Sequence, residues 1–320
     1  LEDSRGNIWI AQGFLGLFHA PDSTFRYFKP NPKDSLKYNH NVMGVLQLDN
    51  KSLLVAAGVY LSVFDLNNKS YSSHHAHSPK DTTAKVLYFS KIIKDSKGNF
   101  WTIGNGLGKT DSSLNIIGAY FKDSGTKNTF LSHNNTMSAR EDKDGNIWVA
   151  TYGGGLNKMD PINETIQVYT SNDGLANNFT YCALVDSNEN IWLSTNTGIS
   201  KFDQKQKTFK NFAMSDGLQS LEFNGPAYHQ AKNGEMFLGG VDGLNYFHPS
   251  EIQNNPNIPN VVIQTFVKPG KIEIIDETHS NDYIREIGYG ENKISFQFAS
   301  IDYRDPSRNE HAYMMEGYDE

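Results

Sequence analysis

The sequence predicts an all-β chain built from a repeated four-stranded unit, and three observations carry that prediction. All four tryptophans close the same short phrase: Asp3 to Trp9 (DSRGNIW), Asp95 to Trp101 (DSKGNFW), Asp142 to Trp148 (DKDGNIW) and Asp186 to Trp192 (DSNENIW). Weaker copies keep register at Leu54 and Phe237, so the six anchors are spaced by 45, 47, 47, 44 and 45 residues. No long stretch carries apolar residues at i, i+3, i+4 and i+7, which argues against helices. A period in the forties with strand-like segments is the signature of β-propeller blades.

The clearest unit runs from about Thr136 to Thr180. Met137 to Arg140 is the expected inner strand. Glu141 to Asn146 is a polar turn, in which Asp and Asn bond nearby amides and Gly supplies positive φ. Ile147 to Thr151, rich in β-formers, is the second strand. The glycine run Gly153 to Gly155 has no helix N-terminus to hold an anion and reads as a turn. Leu156 to Met159 and Thr165 to Tyr169 complete four strands, one blade. The same order recurs at Ile8–Ala11, Gly16–His19 and Thr24–Phe28; at Ile191–Thr195, Gly198–Phe202 and Thr208–Phe212; and at Met236–Gly240 and Gly243–Phe247. Trp9, Trp101, Trp148 and Trp192, with Phe237, are expected to be packing anchors between blades, because a large aromatic there buries much apolar area.

Composition bounds the function. With 29 Lys and Arg against 36 Asp and Glu, the net charge of −7 and the lack of a basic run argue against nucleic acid as a direct partner. Cys182 is the single cysteine, so no intramolecular disulfide forms; it is expected as a small core residue in an inner strand, Tyr181 to Val185. No apolar run is long enough to span a bilayer. Residue 1 falls just before a repeat phrase, so the chain is expected to be a piece of a longer one, its first blade lacking an inner strand.

After Phe247 the pattern breaks. His248 to Pro259 is rich in Pro and Asn and reads as a linker. Asn260 to Phe266, Lys293 to Tyr303 and His311 to Gly317 read as strands of a second, sandwich-like domain. The expected division is therefore a propeller over 1–256 and a partial immunoglobulin-like β-sandwich over 257–320.

The phrase ending Gly-Asn-Ile-Trp, the Gly-Gly-Leu that follows it, and the links Asn172 to Leu175 and Ser215 to Leu218 resemble the two-component regulator propeller repeat. Phe296 to Tyr303 with Tyr313 to Tyr318 resembles the triple-tyrosine (Y_Y_Y) domain. The resemblance implies the periplasmic sensor of a hybrid two-component histidine kinase of gut Bacteroidetes. Such proteins carry propellers, the triple-tyrosine domain, a membrane helix, a kinase, a receiver and a DNA-binding module. It further implies an oligosaccharide ligand, a homodimer, control of transcription of glycan-utilisation genes, and rings of seven blades. Glu189 departs from the pattern by standing where the turn glycine belongs.

No catalytic residue, metal site or cofactor is expected. The repeated carboxylates resemble the turn-organising Asp-box, and a glycosidase would need two carboxylates converging across a sugar. His74 to His77 has spacing that suits no strand or helix face, so a solvated loop is the simpler reading. Propellers bind ligands where inner strands enter the central channel. Counting back from each turn phrase points to Asn39–Asn41, Tyr88–Lys91, Asn134–Arg140, Asn178–Tyr181 and Phe223–His229. The ligand candidates are Asn41, Lys91, Asn135, Arg140, Asn178, Tyr181, Asn224 and His229, since amides, cations and aromatic faces suit a sugar; the alternative is that the asparagines only cap turns. The charge tilts the expectation toward a neutral glycan. Two rivals stand beside the sensor: a lyase of the streptogramin-lyase type using His40, His133 or His229, and a non-catalytic protein-interaction or dimerisation scaffold.

Overall fold

The computed structural model describes residues 1–29, 41–75, 88–122, 130–252, 260–268, 271–274, 288, 293–301 and 313–314. Six antiparallel sheets form a propeller over Leu1–Glu251, and Ile252–Glu320 forms a separate unit. Blade one holds β1 (Ile8–Gln12), β2 (Phe14–His19) and β3 (Thr24–Phe28); blade two holds β4 (Val42–Gln47), β5 (Ser52–Ala57), β6 (Tyr60–Asp65) and β7 (Ser70–His75). Blade three holds β8 (Tyr88–Lys94), β9 (Phe100–Thr110) and β10 (Ile116–Tyr120); blade four holds β11 (Thr136–Glu141), β12 (Ile147–Thr151), β13 (Gly155–Asp160) and β14 (Thr165–Tyr169). Blade five holds β15 (Leu184–Val185), β16 (Ile191–Thr195), β17 (Gly198–Asp203) and β18 (Thr208–Phe212); blade six holds β19 (Phe223–Gln230), β20 (Met236–Gly240) and β21 (Gly243–Phe247). Strand β9 serves two positions: its first half pairs with β8 and its second with β10. The chain doubles back at Asn105–Gly106, where Gly106 has φ of 82°.

The repeat phrase is a closed hydrogen-bond network. In blade four, Asp142 Oδ1 accepts the amides of Asp144 and Asn146 at 3.0 and 2.9 Å, while Oδ2 accepts Trp148 Nε1 at 2.8 Å. Asp3, Asp95 and Asp186 accept Trp9, Trp101 and Trp192 in the same way, at 2.8, 3.0 and 2.9 Å. The aspartates are buried and the tryptophans at most 1% exposed, so the indole N–H needs this partner. Each tryptophan then packs on the following blade: Trp148 against Phe202, Trp192 against Phe247, Trp9 against Phe64, and Trp101 within a cluster containing Ala139, Ile147 and Met159. A lysine lies over each indole, Lys69, Lys109, Lys158 and Lys201, at 5.1–5.5 Å. The turns are also clasped from blade to blade. The amides of Ser4, Ser96 and Lys143 donate to Gln47, Glu141 and Glu189, each on the next blade. Glu189 is thus a left-handed non-glycine residue, at φ 68°, whose carboxylate holds its neighbour's turn.

The Asp-Gly-Leu links are one-turn 3-10 helices at Ser171–Asp173 and Met214–Asp216, each ended by a left-handed glycine. Asp173 and Asp216 accept the amides of Thr170 and Ala213, which makes the link a compact corner between blades.

Three expectations are corrected. Blade one does have the end of an inner strand: Leu1 and Trp9 exchange backbone hydrogen bonds at 2.7 and 2.9 Å, beside the bridge Glu2–Ile8. The inner strand of blade five is regular only over Leu184–Val185. There Cys182 Sγ, not a ladder carbonyl, accepts the Ser194 amide at 3.2 Å, so the ladder is broken at the buried cysteine. His74 and His75 end strand β7, paired with Leu61 and Tyr60, rather than lying in a loop. The polar composition that suggested a loop also suits an outermost strand; His77 lies outside the described residues. Phe237 is only partly buried, unlike the tryptophans.

In the second unit, β22 (Asn260–Lys268) pairs antiparallel with β23 (Lys271–Ile274) on one side and β24 (Ser295–Ile301) on the other. This is one sheet. Tyr303 and Tyr318, which carry part of the triple-tyrosine resemblance, lie outside the described residues.

The central channel as candidate binding site

The inner strands converge on two cavities that share Lys91. The smaller, about 610 Å³, is lined by Gln12, Asn41, Asn105 and Asn135, by Tyr88, and by the apolar Met43, Met137 and Pro226. The larger, about 1040 Å³, carries Arg140, His229 and Lys232 with Glu2, Trp9 and Tyr228. Short inter-blade bridges, Gly13–Val42, Asn105–Asn135 and Tyr152–Phe179 among them, tie the end of one blade's second strand to the start of the next inner strand. This places the amides at one rim.

Lys91 is the chemical centre. It stands on β8 and crosses the channel: Nζ donates to Tyr228 Oη at 2.8 Å, on blade six, and to the Met137 carbonyl at 3.1 Å, on blade four. It also lies over the Tyr228 ring, 4.0 Å from the centroid. The ion pair found among the described residues joins His19 to Asp22; no carboxylate lies within bonding distance of Lys91. Burial pulls the Lys91 ammonium down from 10.5 to about 8, and burial pushes the Tyr228 phenol well up. At neutral pH the pair is a cation on a neutral phenol.

The sequence candidates therefore separate. Asn41, Lys91 and Asn135 line the smaller cavity, and Lys91, Arg140 and His229 the larger. Asn178 serves the fold: its Oδ1 accepts the Ser171 amide at 2.8 Å and its carbonyl accepts the amides of Gly153 and Gly155. Tyr181 is buried and bonds Asn196 Oδ1. Asn224 is exposed on β19 and lines neither cavity. His40 lies outside the described residues. His133 Nδ1 accepts the Asn135 amide at 3.1 Å, a turn contact, and His229 lies against Phe237. Among the described residues no group of three or more His, Cys, Asp or Glu is arranged to hold a metal ion, and no helix is long and apolar enough to cross a membrane.

Sequence reasoning passed over Gln12, Asn105 and Tyr152, and named Tyr228 only within the stretch Phe223–His229. Asn105 and Tyr152 make equivalent inter-blade bridges four residues after their tryptophans, and Gln12 stands next to the equivalent Gly13, so the repeat itself could have exposed them. Tyr152 and Phe179, 40% and 37% exposed, meet edge to face at 4.8 Å and form an aromatic shelf beside Tyr181.

Two segments match a known repeat. Residues 131–153 and 174–197 fit the family model of the two component regulator propeller, and both contain parts of the Asp–Trp blades described above. The chain is similar to Histidine kinase P4 of Formosa agariphila, at 28% identity over 161 residues, covering 48% of this chain and 12% of the kinase. Among solved structures it is similar to one described as the extracellular domain of a hybrid two-component system, BT3049, from B. thetaiotaomicron. The TM-score is 0.66 at 25% identity, over 93% of this chain and 40% of that one. A second such domain, of BT4673 from the same organism, shares the fold at TM-score 0.59 and 18% identity, with 93% and 40% coverage. The chain thus spans well under half the length of these relatives.

Proposed function

We propose that this chain is the ligand-binding propeller of an extracytoplasmic, periplasmic sensor in a hybrid two-component histidine kinase. We infer that it binds an oligosaccharide at the central channel and has no catalytic role of its own. The observation that carries the reading is the likeness over 93% of the chain to an extracellular domain of a hybrid two-component system. The channel chemistry agrees with it. Amides of Gln12, Asn41, Asn105 and Asn135 can both donate to and accept from sugar hydroxyls, and Tyr88 offers an apolar face for sugar C–H groups. A cavity of about 610 Å³ is of the size that small ligands use.

In the whole protein, binding would bias a homodimer between two arrangements, and a membrane segment would carry the change to the kinase and so to transcription of glycan-utilisation genes. A ligand does this only through different affinity for the two states. The propeller's remaining segment, with its triple-tyrosine resemblance, would link it to the membrane. The lyase alternative needs a converging acid–base or metal constellation; His133 makes a turn contact with the Asn135 amide, and among the described residues no group of three or more His, Cys, Asp or Glu is arranged to hold a metal ion.

A thermal-shift screen against defined oligosaccharides, confirmed by calorimetry, tests the reading. Saturable stabilisation by one glycan class is expected. A folded chain that responds to none would remove the support for ligand sensing in this propeller.

A further inference from the structure

We propose that the ligand is an acidic saccharide and that Lys91, with Arg140 lining the same cavity, receives its anionic group, a carboxylate or a sulfate ester. This rests on the oligosaccharide reading and names the substrate class that reading leaves open.

The argument begins with charge. The chain carries seven more acids than bases, yet the larger cavity inverts that balance. Among the described residues its lining holds Lys91, Arg140 and Lys232, with His229, against the single acid Glu2. In the smaller cavity Lys91 is the charged residue among the described lining, and the others are amides, hydroxyls and apolar groups. Three cations drawn from blades three, four and six thus face one space, in a protein whose average surface is negative.

Lys91 is also incompletely used. An ammonium has three N–H donors, and two are taken, by Tyr228 Oη and the Met137 carbonyl. Both acceptors are neutral. A half-buried cation held only by neutral partners gains most from an anion, because a charge-assisted hydrogen bond strengthens where water is partly excluded. Arg140 has one weak bond, to Gln230 Oε1 at 3.3 Å, and keeps the rest of its fork free for a carboxylate or sulfate. The amide-lined cavity and the cationic cavity then divide the work: the first reads hydroxyls, the second reads the charge.

A structural role for Lys91, as a strut joining blades three, four and six, makes a different prediction. A strut stabilises the fold and ignores ligand charge.

The experiment compares wild type with Lys91→Met and Arg140→Gln by calorimetry. Three sets of oligosaccharides serve as probes: neutral, uronate-containing and sulfated. The uronates are also tested after carboxyl reduction and the sulfated sugars after desulfation. Arg140 is exposed, so its variant keeps the test valid should Lys91→Met fold poorly. The expected result is binding of a uronate or a sulfated member, lost on reduction or desulfation respectively, which separates the two sources of charge. Affinity should fall at least about tenfold in Lys91→Met, as expected for losing a hydrogen bond to a charged group, and less in Arg140→Gln. Binding of neutral sugars, or acidic binding that both variants retain, overturns the inference and leaves the oligosaccharide reading standing. No binding by any of the three sets overturns the glycan reading and this inference together.

Discussion

Charged side chains are withdrawn from water in two regions of this propeller, fully in one and partly in the other, and are satisfied in opposite ways. At the turn that opens the second strand in four of the six blades, a buried aspartate finds all its donors within six residues: two amides, an asparagine and the indole of Trp9, Trp101, Trp148 or Trp192. In the channel, Lys91 reaches 46 residues to Met137 and 137 residues to Tyr228, and among the described residues it pairs with no carboxylate. The first arrangement is complete before any neighbour arrives and repeats with the blade. The second occurs once, depends on three blades, and leaves a donor over. A charge whose hydrogen-bonding capacity is filled by its own turn holds the fold, whereas one left with a spare donor is available to a ligand.

Breaking the first region should have the largest effect. Trp148→Ala removes a fully buried ring and should cost about 3–5 kcal/mol in denaturant unfolding. Trp148→Phe keeps most of the packing but leaves Asp142 short of one donor, and should cost about 1–3 kcal/mol. Equal losses for the two variants would mean that the hydrogen bond, rather than burial, carries the anchor.

The second region should respond with the opposite sign. Lys91→Met replaces a half-buried cation without a counter-charge by an apolar chain of similar length and should stabilise the fold by about 1–3 kcal/mol at neutral pH. A stabilising change in a channel residue that also weakens binding is what a functional site held at a cost in stability predicts.

Smaller effects sharpen the account of the turns. Gly98 has φ of 87° and no atom within 4 Å of the place a methyl group would take, so Gly98→Ala should cost only the backbone penalty, about 1–2 kcal/mol. Glu189→Gly relieves that penalty but gives up the bond to the Lys143 amide, so the net change should stay within about 1 kcal/mol. A larger loss would show that the blade-to-blade clasp outweighs the backbone strain.

The contrast also explains what could be read in advance. The Asp-to-Trp phrase is local, so its hairpin and the strands beside it were legible residue by residue: Ile147–Thr151, Thr165–Tyr169, Ile191–Thr195 and Thr208–Phe212 stand as the pattern predicts. Its failures lie where a non-local or unusual partner intervenes, as at Cys182, whose sulfur interrupts a ladder. Lys91, Arg140 and His229 could be named as channel residues from the repeat register alone. That Lys91 would lie on Tyr228, and that Lys232 would join it from another blade, depends on how the ring brings distant strands together. The positive lining is likewise invisible in a chain of net charge −7, because its members are scattered over three blades.

The most direct measurement is the unfolding free energy of wild type and Lys91→Met from pH 7 to pH 10.5. Lys91 is lowered to about 8 in the fold from an ordinary value of 10.5. Between those values the unfolded chain still binds a proton that the folded chain has released, so wild-type stability rises with pH through that window. Each unit of the difference is worth about 1.4 kcal/mol. The account predicts that Lys91→Met is the more stable protein at pH 7 and that its advantage shrinks toward pH 10.5. A variant less stable than wild type at pH 7, by a margin that pH does not change, would make Lys91 a structural strut and contradict the account.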